Sequence, residues 1–237
     1  MHDRDQRGNL SIERPPTLSV LVADSIRDGV YNGDLAQGER LQETSLSETY
    51  NVSRSTVREA LRMLEEAGLV LITPHRGAHV VRLSRRLIRE SYTLRQALEP
   101  LAVQLAFEAG SINARLLDSL LNCVQLMERH SRMEQYALMN RAEMDFHRLI
   151  IESSGNELLM DALKKPHTYC RLTHEVVSAI ARNSHPIAEQ HRPILERLRE
   201  GDLSACRETI VKHLQASQRA LLTDYRDDAD AIPPGRL

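Results

Sequence analysis

The chain has 237 residues, with 31 Lys and Arg against 33 Asp and Glu and a formal charge of −2. That balance excludes a protein that holds polyanions through bulk positive charge and leaves room for a local cationic patch only. Aromatic residues make up 3% with no Trp, so any core must come from Leu, Ile, Val, Ala and Met, a composition that suits helices.

Residues 1–16, polar and rich in charge, read as a flexible N-terminus, and a DNA-binding unit is expected over 17–84. A first helix is predicted over Leu18–Tyr31, with Val22, Ile26 and Val30 as its apolar stripe and Asn32-Gly33 as its stop. Leu46, Ser47 and Tyr50 fit a short second helix, and Asn51 tolerates the left-handed turn that follows. Ser53 then offers its hydroxyl as the cap of a third helix. In that helix Val57, Ala60, Leu61 and Leu64 face a small core, while Arg54, Ser55, Arg58 and Arg62 point outward. Arg54 and Arg58 are four apart, so both guanidinium groups lie on one face and can take a base edge and phosphates in a major groove. Gly68 closes the helix. The β-prone run Leu69–Thr73, the turn Pro-His-Arg-Gly and Val80-Val81 read as a two-stranded wing with Arg76 at its tip.

These residues carry a resemblance. GVYNGDLAQGERL, VSRSTVREAL, LEEAGLV and the wing glycine are similar to the GntR family of bacterial transcriptional regulators, over Ile26–Val81. The resemblance implies DNA contacts from Ser53, Arg54, Ser55, Thr56 and Arg58, and a wing whose Gly77 approaches the minor groove beside Arg76. Thr44 departs from the pattern, since some members carry an arginine there.

After Ser84-Arg85-Arg86 the period changes from two to 3.6, and an all-helical unit of about six helices is expected over 85–226, followed by a flexible tail at 227–237. The predicted helices run over about 87–109, 114–128, 134–153, 157–182, 187–200 and 203–225, broken at Gly110-Ser111, Gly155-Asn156, Asn183–Pro186 and Gly201-Asp202. Cys123, Cys170 and Cys206 are odd in number, distant and without a CxxC pair, so neither a disulfide framework nor a thiolate zinc site is suggested, and they fit a reduced compartment. No apolar leader and no run of about 18 apolar residues occurs, so a cytoplasmic protein without a membrane span is expected.

Of the 10 histidines, His2, His75, His79, His130, His167, His174 and His185 read as solvated groups in termini, loops or polar faces. Three differ. His147 shares a stripe with Met139, Glu143, Phe146 and Ile150; His191 lies with Ile187, Ile194, Leu195 and Leu198; His213 lies with Ile210, Leu214 and Leu221. Burying three imidazoles and a carboxylate separately would cost several kcal/mol, roughly, unless they share a partner, and a divalent cation is the economical one. Glu143 and His147, four apart, can both reach one ion. Asp145 belongs instead to a charged stripe with Arg141, Arg148 and Glu152.

EMDFHRLI, SSGN and EQHRPILERLREGDLSACRETIVKHL resemble the FCD domain, the helical effector-binding domain of one GntR branch, over about residues 88–223. The resemblance implies a metal held by Glu143, His147, His191 and His213, with Glu143 standing where Asp is usual and Pro193 expected to bend the turn carrying His191. One carboxylate and three imidazoles suit Zn first, with Ni, Mn, Co and Fe as alternatives. It further implies a small organic acid on the open metal positions, with Arg95 either its second anchor or a helix partner of Glu99. The expected whole is a homodimeric repressor of a catabolic operon that reads a two-fold related double-stranded DNA operator. A metalloenzyme using the same site, and a metal that is itself the signal or a structural staple, are the alternatives.

Overall fold

A computed structural model describes residues 15–173 and 187–225. His2, His174 and His185, the predicted helix beyond residue 173, the Asn183–Pro186 turn and the expected flexible tail lie outside the described residues.

Helix α1, Leu18–Asn32, starts at Thr17, whose hydroxyl accepts from the Val20 amide. After strand β1, Arg40–Leu41, come α2, Glu43–Tyr50, and α3, Arg54–Glu66. Asn51 ends α2 at φ 50° and ψ 47°, a left-handed turn that Asn adopts at low cost and that sets α3 at an angle to α2. Strands β2, Val70–Thr73, and β3, Gly77–Val80, form the wing, and Thr73 stands opposite Gly77 at its tip.

The wing is not the lone hairpin expected. β1 joins it as a third antiparallel strand in the order β1-β3-β2, with Arg40 opposite His79 and Leu41 opposite Ala78. Two residues are too few to show a period, so the strand is invisible to pattern reading. It holds because Leu41 enters the small core made by Val22, Ile26, Val30, Val57, Leu61, Leu64, Leu69 and Val80.

The second core is all helical. It is built from α4, Arg85–Glu108; α5, Ala114–Arg132; α6, Tyr136–Ser153; α7, Glu157–Arg171; α8, Ile187–Glu200; and α9, Leu203–Asp224. Ser84, Asn113, Asn156 and Asp202 each accept an amide hydrogen bond at the start of their helices, satisfying donors that a helix leaves free. Tyr92, Val103, Leu120, Met127, Met139, Phe146, Ile194, Leu198, Ile210 and Leu214 are among its buried members. The predicted helices hold within a few residues except the one expected over 157–182, which ends at Arg171 with a turn at Leu172 and Thr173. α8 continues through Pro193, so the expected bend does not displace His191, which is fully buried.

The two cores touch through α7 and the connecting segment. Leu87 of α4 and Leu172 just after α7 are buried in the first core, and the Tyr225 hydroxyl donates to the Leu83 carbonyl at 2.7 Å. Among the described residues no helix is long and apolar enough to cross a membrane.

Candidate functional site

The cationic face is built on the start of α3. Ser53 accepts from the Thr56 amide at 3.2 Å, and its hydroxyl lies 2.7 Å from that of Ser55 and 2.8 Å from that of Thr56. Three hydroxyls thus crowd the positive end of the helix, where amides and dipole both favour an anion. Arg54, Arg58 and Arg62 are exposed beside them. Arg58 is engaged: Nε and Nη2 donate to the two carboxylate oxygens of Glu43 at 3.0 and 2.6 Å. That bidentate bond holds the Glu43 carboxyl below its usual range, and a phosphate on Arg58 must displace it.

At the wing, Arg76 is exposed at the tip, and its amide donates to the Thr73 carbonyl at 3.1 Å. Gly77 adopts φ 84°, a conformation that side chains resist. Arg40, which pattern reading missed, lies over this glycine: a Cβ on Gly77 would stand 3.8 Å from Arg40 Nε. Arg40, Thr44, Arg54, Arg58, Arg62 and Gly77 line one concave surface, so four guanidinium groups converge on a chain with no net positive charge. A lone Arg in a two-residue strand carries no signal; only the pairing of β1 with β3 brings it to the wing.

The second site lies in the helical core. Glu143 and His147 on α6, His191 on α8 and His213 on α9 are all buried and bring one ligand atom each within 4.8 Å of one another. His147 Nε2 lies 3.3 Å from Nε2 of His191 and 3.3 Å from Nε2 of His213. Asp145, by contrast, is paired with Arg148 at the surface. Burial lowers the His147 pKa, with Glu99 opposing and Arg95 adding. His213 lies well below its ordinary value through burial first, then the neighbouring His191 and His147. Both are therefore neutral at pH 7, with lone pairs to offer. Burial pushes the Glu143 carboxyl up to about 7, with Arg95 pulling against it and Glu99 adding.

A carboxylate behind this cluster fixes its polarity. Glu99 on α4 is buried, and its Oε2 lies 2.7 Å from His147 Nδ1, close but too oblique for a fully formed hydrogen bond. Its Oε1 accepts from Arg95 Nε at 2.6 Å and lies 3.3 Å from His167 Nε2. Burial raises the Glu99 pKa, but Arg95 and His147 outweigh it and hold the carboxyl well below its usual range. An anionic Glu99 keeps the His147 proton on Nδ1 and frees Nε2, the arrangement that orients metal-ligating imidazoles. The donor set fits a divalent ion: three nitrogens about 2.1 Å from one centre stand about 3.0 to 3.4 Å apart.

Arg95 keeps both of its readings, and one expectation changes. Arg95 is fully buried on Glu99 and on Cys170 Sγ, at 3.3 Å, which is the helix-partner arrangement; its Nη2 nevertheless has no partner among the described residues. His167, expected in solvent, is largely buried against Glu99. Its α7 neighbours Lys164 and Lys165 made the segment read as a polar face, and its partner is 68 residues away in sequence.

A three-helix winged unit with a cationic groove, joined to a helical core enclosing a carboxylate and three imidazoles, has the layout of a DNA-binding regulator with a second, all-helical domain. Residues 18–80 match the family model of bacterial regulatory proteins of the gntR family, and residues 90–216 match the FCD domain. The chain belongs to the GntR family of transcriptional regulators, in the branch with an FCD C-terminal domain. It is 28% identical over 204 residues to the HTH-type transcriptional repressor RspR of Escherichia coli K12, covering 83% of this chain and 85% of that one. It is 27% identical over 209 residues to the HTH-type regulator YdhC of Bacillus subtilis, covering 86% and 91%. A GntR regulator from Rhodococcus sp. RHA1 shares its fold at a TM-score of 0.72 and 23% identity, over 88% of this chain and 99% of that one. The relatives are transcriptional regulators, not enzymes.

Proposed function

We propose that this regulator is a repressor whose operator affinity answers to a small organic acid bound at a divalent metal held by Glu143, His147, His191 and His213. The observation that carries the reading is the convergence of these four buried donors within 4.8 Å. Zinc is favoured by the donor set, with nickel, manganese, cobalt and iron as alternatives. A bound ion supplies a Lewis-acidic positive charge that attracts a carboxylate. Glu99 orients His147, and Arg95 Nη2, buried and without a partner, is the donor available to the far end of the acid.

Operator contact falls to Ser53, Arg54, Ser55, Thr56, Arg58, Arg76 and Gly77, joined by Arg40. Leu94 and Leu101, two turns apart on α4, stay exposed, with half-buried Leu98 between them and half-buried Leu105 one turn further on. An apolar stripe of this kind supports pairing with a second copy, and two reading heads then meet two-fold related half-sites. The chain's lack of a general cationic surface makes the four-arginine groove the source of specificity. Gel shift on DNA from upstream of the chain's own gene tests the reading, with a panel of small carboxylates added to metal-loaded protein. Retardation released by one acid supports it; no retardation at moderate salt rejects it.

The burial of all four donors also favours a second reading, in which the metal is a staple for α6, α8 and α9. An unchanged operator affinity in metal-stripped protein that remains folded, with no response to any acid, would select that reading.

A further inference from the structure

The last turn of α7 holds two sets of contacts that face different parts of the molecule. On one side, His167 Nε2 lies 3.3 Å from Glu99 Oε1, and Cys170 Sγ accepts from Arg95 Nη1 at 3.3 Å. Both partners belong to the charged pair behind the imidazole cluster. Toward the winged unit, the Arg171 guanidinium lies 3.7 Å from the centre of the Tyr31 ring in α1, and Gln37 Nε2 donates to the Leu172 carbonyl at 3.0 Å. Gln37 Oε1 accepts from the Leu83 amide at 3.0 Å, so this one side chain clamps the end of α7 to the segment that connects the two cores. The backbone of Gly68, just after α3, lies so close that a Cβ there would stand 3.0 Å from both Lys165 Cγ and the Tyr169 hydroxyl.

Helix geometry accounts for part of the division. His167 and Cys170 are three apart and share a face, and Tyr169 and Leu172 share another, about 200° around from His167 to Tyr169. Arg171, four residues after His167, lies on the His167 side and reaches Tyr31 from there. Pro166 stands immediately before this turn. It has no N–H to give to the Ala162 carbonyl, so one ladder bond is missing between the turn from His167 to Leu172 and the rest of α7.

We propose that the last turn of α7 transmits the state of the imidazole cluster to the reading head, with His167 as the positioning residue at its inner end. The proposal rests on the metal-dependent reading above and assigns it a route. Glu99 divides its two oxygens between His147 and His167, so a displacement of the His147 ring redirects the carboxylate and carries His167 with it. Arg95 moves with Glu99 and shifts its hold on Cys170. At the outer end Arg171, Leu172 and Gln37 pass the displacement to α1 and to the connection at Leu83, which fixes where α3 and the wing stand. Coupling then starts at the ligand His147 and requires both ends of the turn, whose own residues touch neither metal nor DNA.

The test measures operator affinity by fluorescence anisotropy, with zinc-loaded and EDTA-stripped full-length protein, and takes the ratio of the two Kd values. Metal content is measured on the same preparations. In the wild type the ratio is expected to differ from one by about fivefold or more. His167→Ala is expected to keep its metal and bind the operator while the ratio falls toward one, and His167→Gln, whose amide can donate to Glu99, restores part of it. The double variant Gln37→Ala/Arg171→Ala, which leaves the imidazole cluster and its Glu99–Arg95 pair untouched, is expected to lose the ratio with unchanged metal content. A wild-type ratio in folded His167→Ala, or in the double variant should His167→Ala not fold, overturns the relay. A wild type that binds the operator with equal affinity with and without zinc overturns metal control and the relay together. A wild type that binds no operator overturns the DNA reading itself.

Discussion

Two Arg–Glu pairs set the two halves of this molecule apart. Arg58 and Glu43 meet at 2.6 Å on the surface of the winged unit, with side chains 55% and 36% exposed. Arg95 and Glu99 meet at the same distance in the helical core, 0% and 2% exposed. Water can replace either partner of the first pair, so a phosphate can take Arg58 with little loss. No such exchange is open to the second, where a charge left alone has no solvent to turn to. The reading head therefore keeps its charges available, and the core uses its charges to hold other groups in place.

Breaking the buried pair is expected to have the largest effect on stability. Glu99→Ala leaves Arg95 buried and uncompensated, and urea unfolding should register a loss of about 3–5 kcal/mol. An unchanged unfolding midpoint would mean that the core tolerates a lone guanidinium, and the contrast between the pairs would fail.

Metal removal comes next. A site half-saturated at one hundredth of the free zinc concentration adds about 2.7 kcal/mol to the folded state. Calorimetry should show a Tm that falls on adding EDTA and recovers with zinc, and this response should vanish in His191→Ala.

The metal-free protein should also lose stability as the pH falls. His147, His213 and His167 all have folded pKa values depressed by burial first, below the ordinary 6.5. Below about pH 6.5 the unfolded chain takes up these protons before the folded one, so the stabilisation present above that pH is lost as the pH drops. Glu143 acts in the opposite sense. Its folded pKa of about 7 exceeds the ordinary 4.5, so it contributes stability at low pH that is lost as the pH rises through about 7. Three imidazoles outnumber one carboxyl, and the urea midpoint of stripped protein should be lower at pH 5.5 than at pH 7.5; the reverse order would show that His147 and His213 are not held neutral.

The surface pair should give the smallest change in stability and a large one in DNA binding. Arg58→Ala should leave the unfolding midpoint within experimental scatter, and Arg54→Ala should abolish operator recognition with metal content intact. Glu43→Gln, which releases Arg58 from its carboxylate, should tighten operator binding. Weaker binding by Glu43→Gln would mean that the pair positions Arg58 for DNA and does not compete with it.

The two halves were also unequally legible in the sequence. Asn51, Ser53 and the alternation of Val57, Ala60 and Leu64 with Arg54 and Arg58 are local signals, and each produces the turn, cap or face that it specifies. The stripes that hold His147, His191 and His213 are also local, so the burial of each could be read, although their meeting depends on how α6, α8 and α9 pack. The pairing of Glu99 with Arg95 is legible as an i,i+4 pair, whereas the approach of Glu99 to His147 and His167 is not. Glu99 and His167 each sit among residues that satisfy an ordinary helix, and the bond between them spans two helices far apart in sequence. Arg40 was missed for a related reason, because β1 exists only by pairing with β3.

The central claim is that Glu143, His147, His191 and His213 hold one divalent ion, and the most direct test is metal content. Elemental analysis of purified wild type, Glu143→Ala and His191→Ala, each verified as folded, should find about one zinc or other divalent ion per wild-type chain and a small fraction of that in both variants. Equal metal content in all three proteins would contradict the assignment.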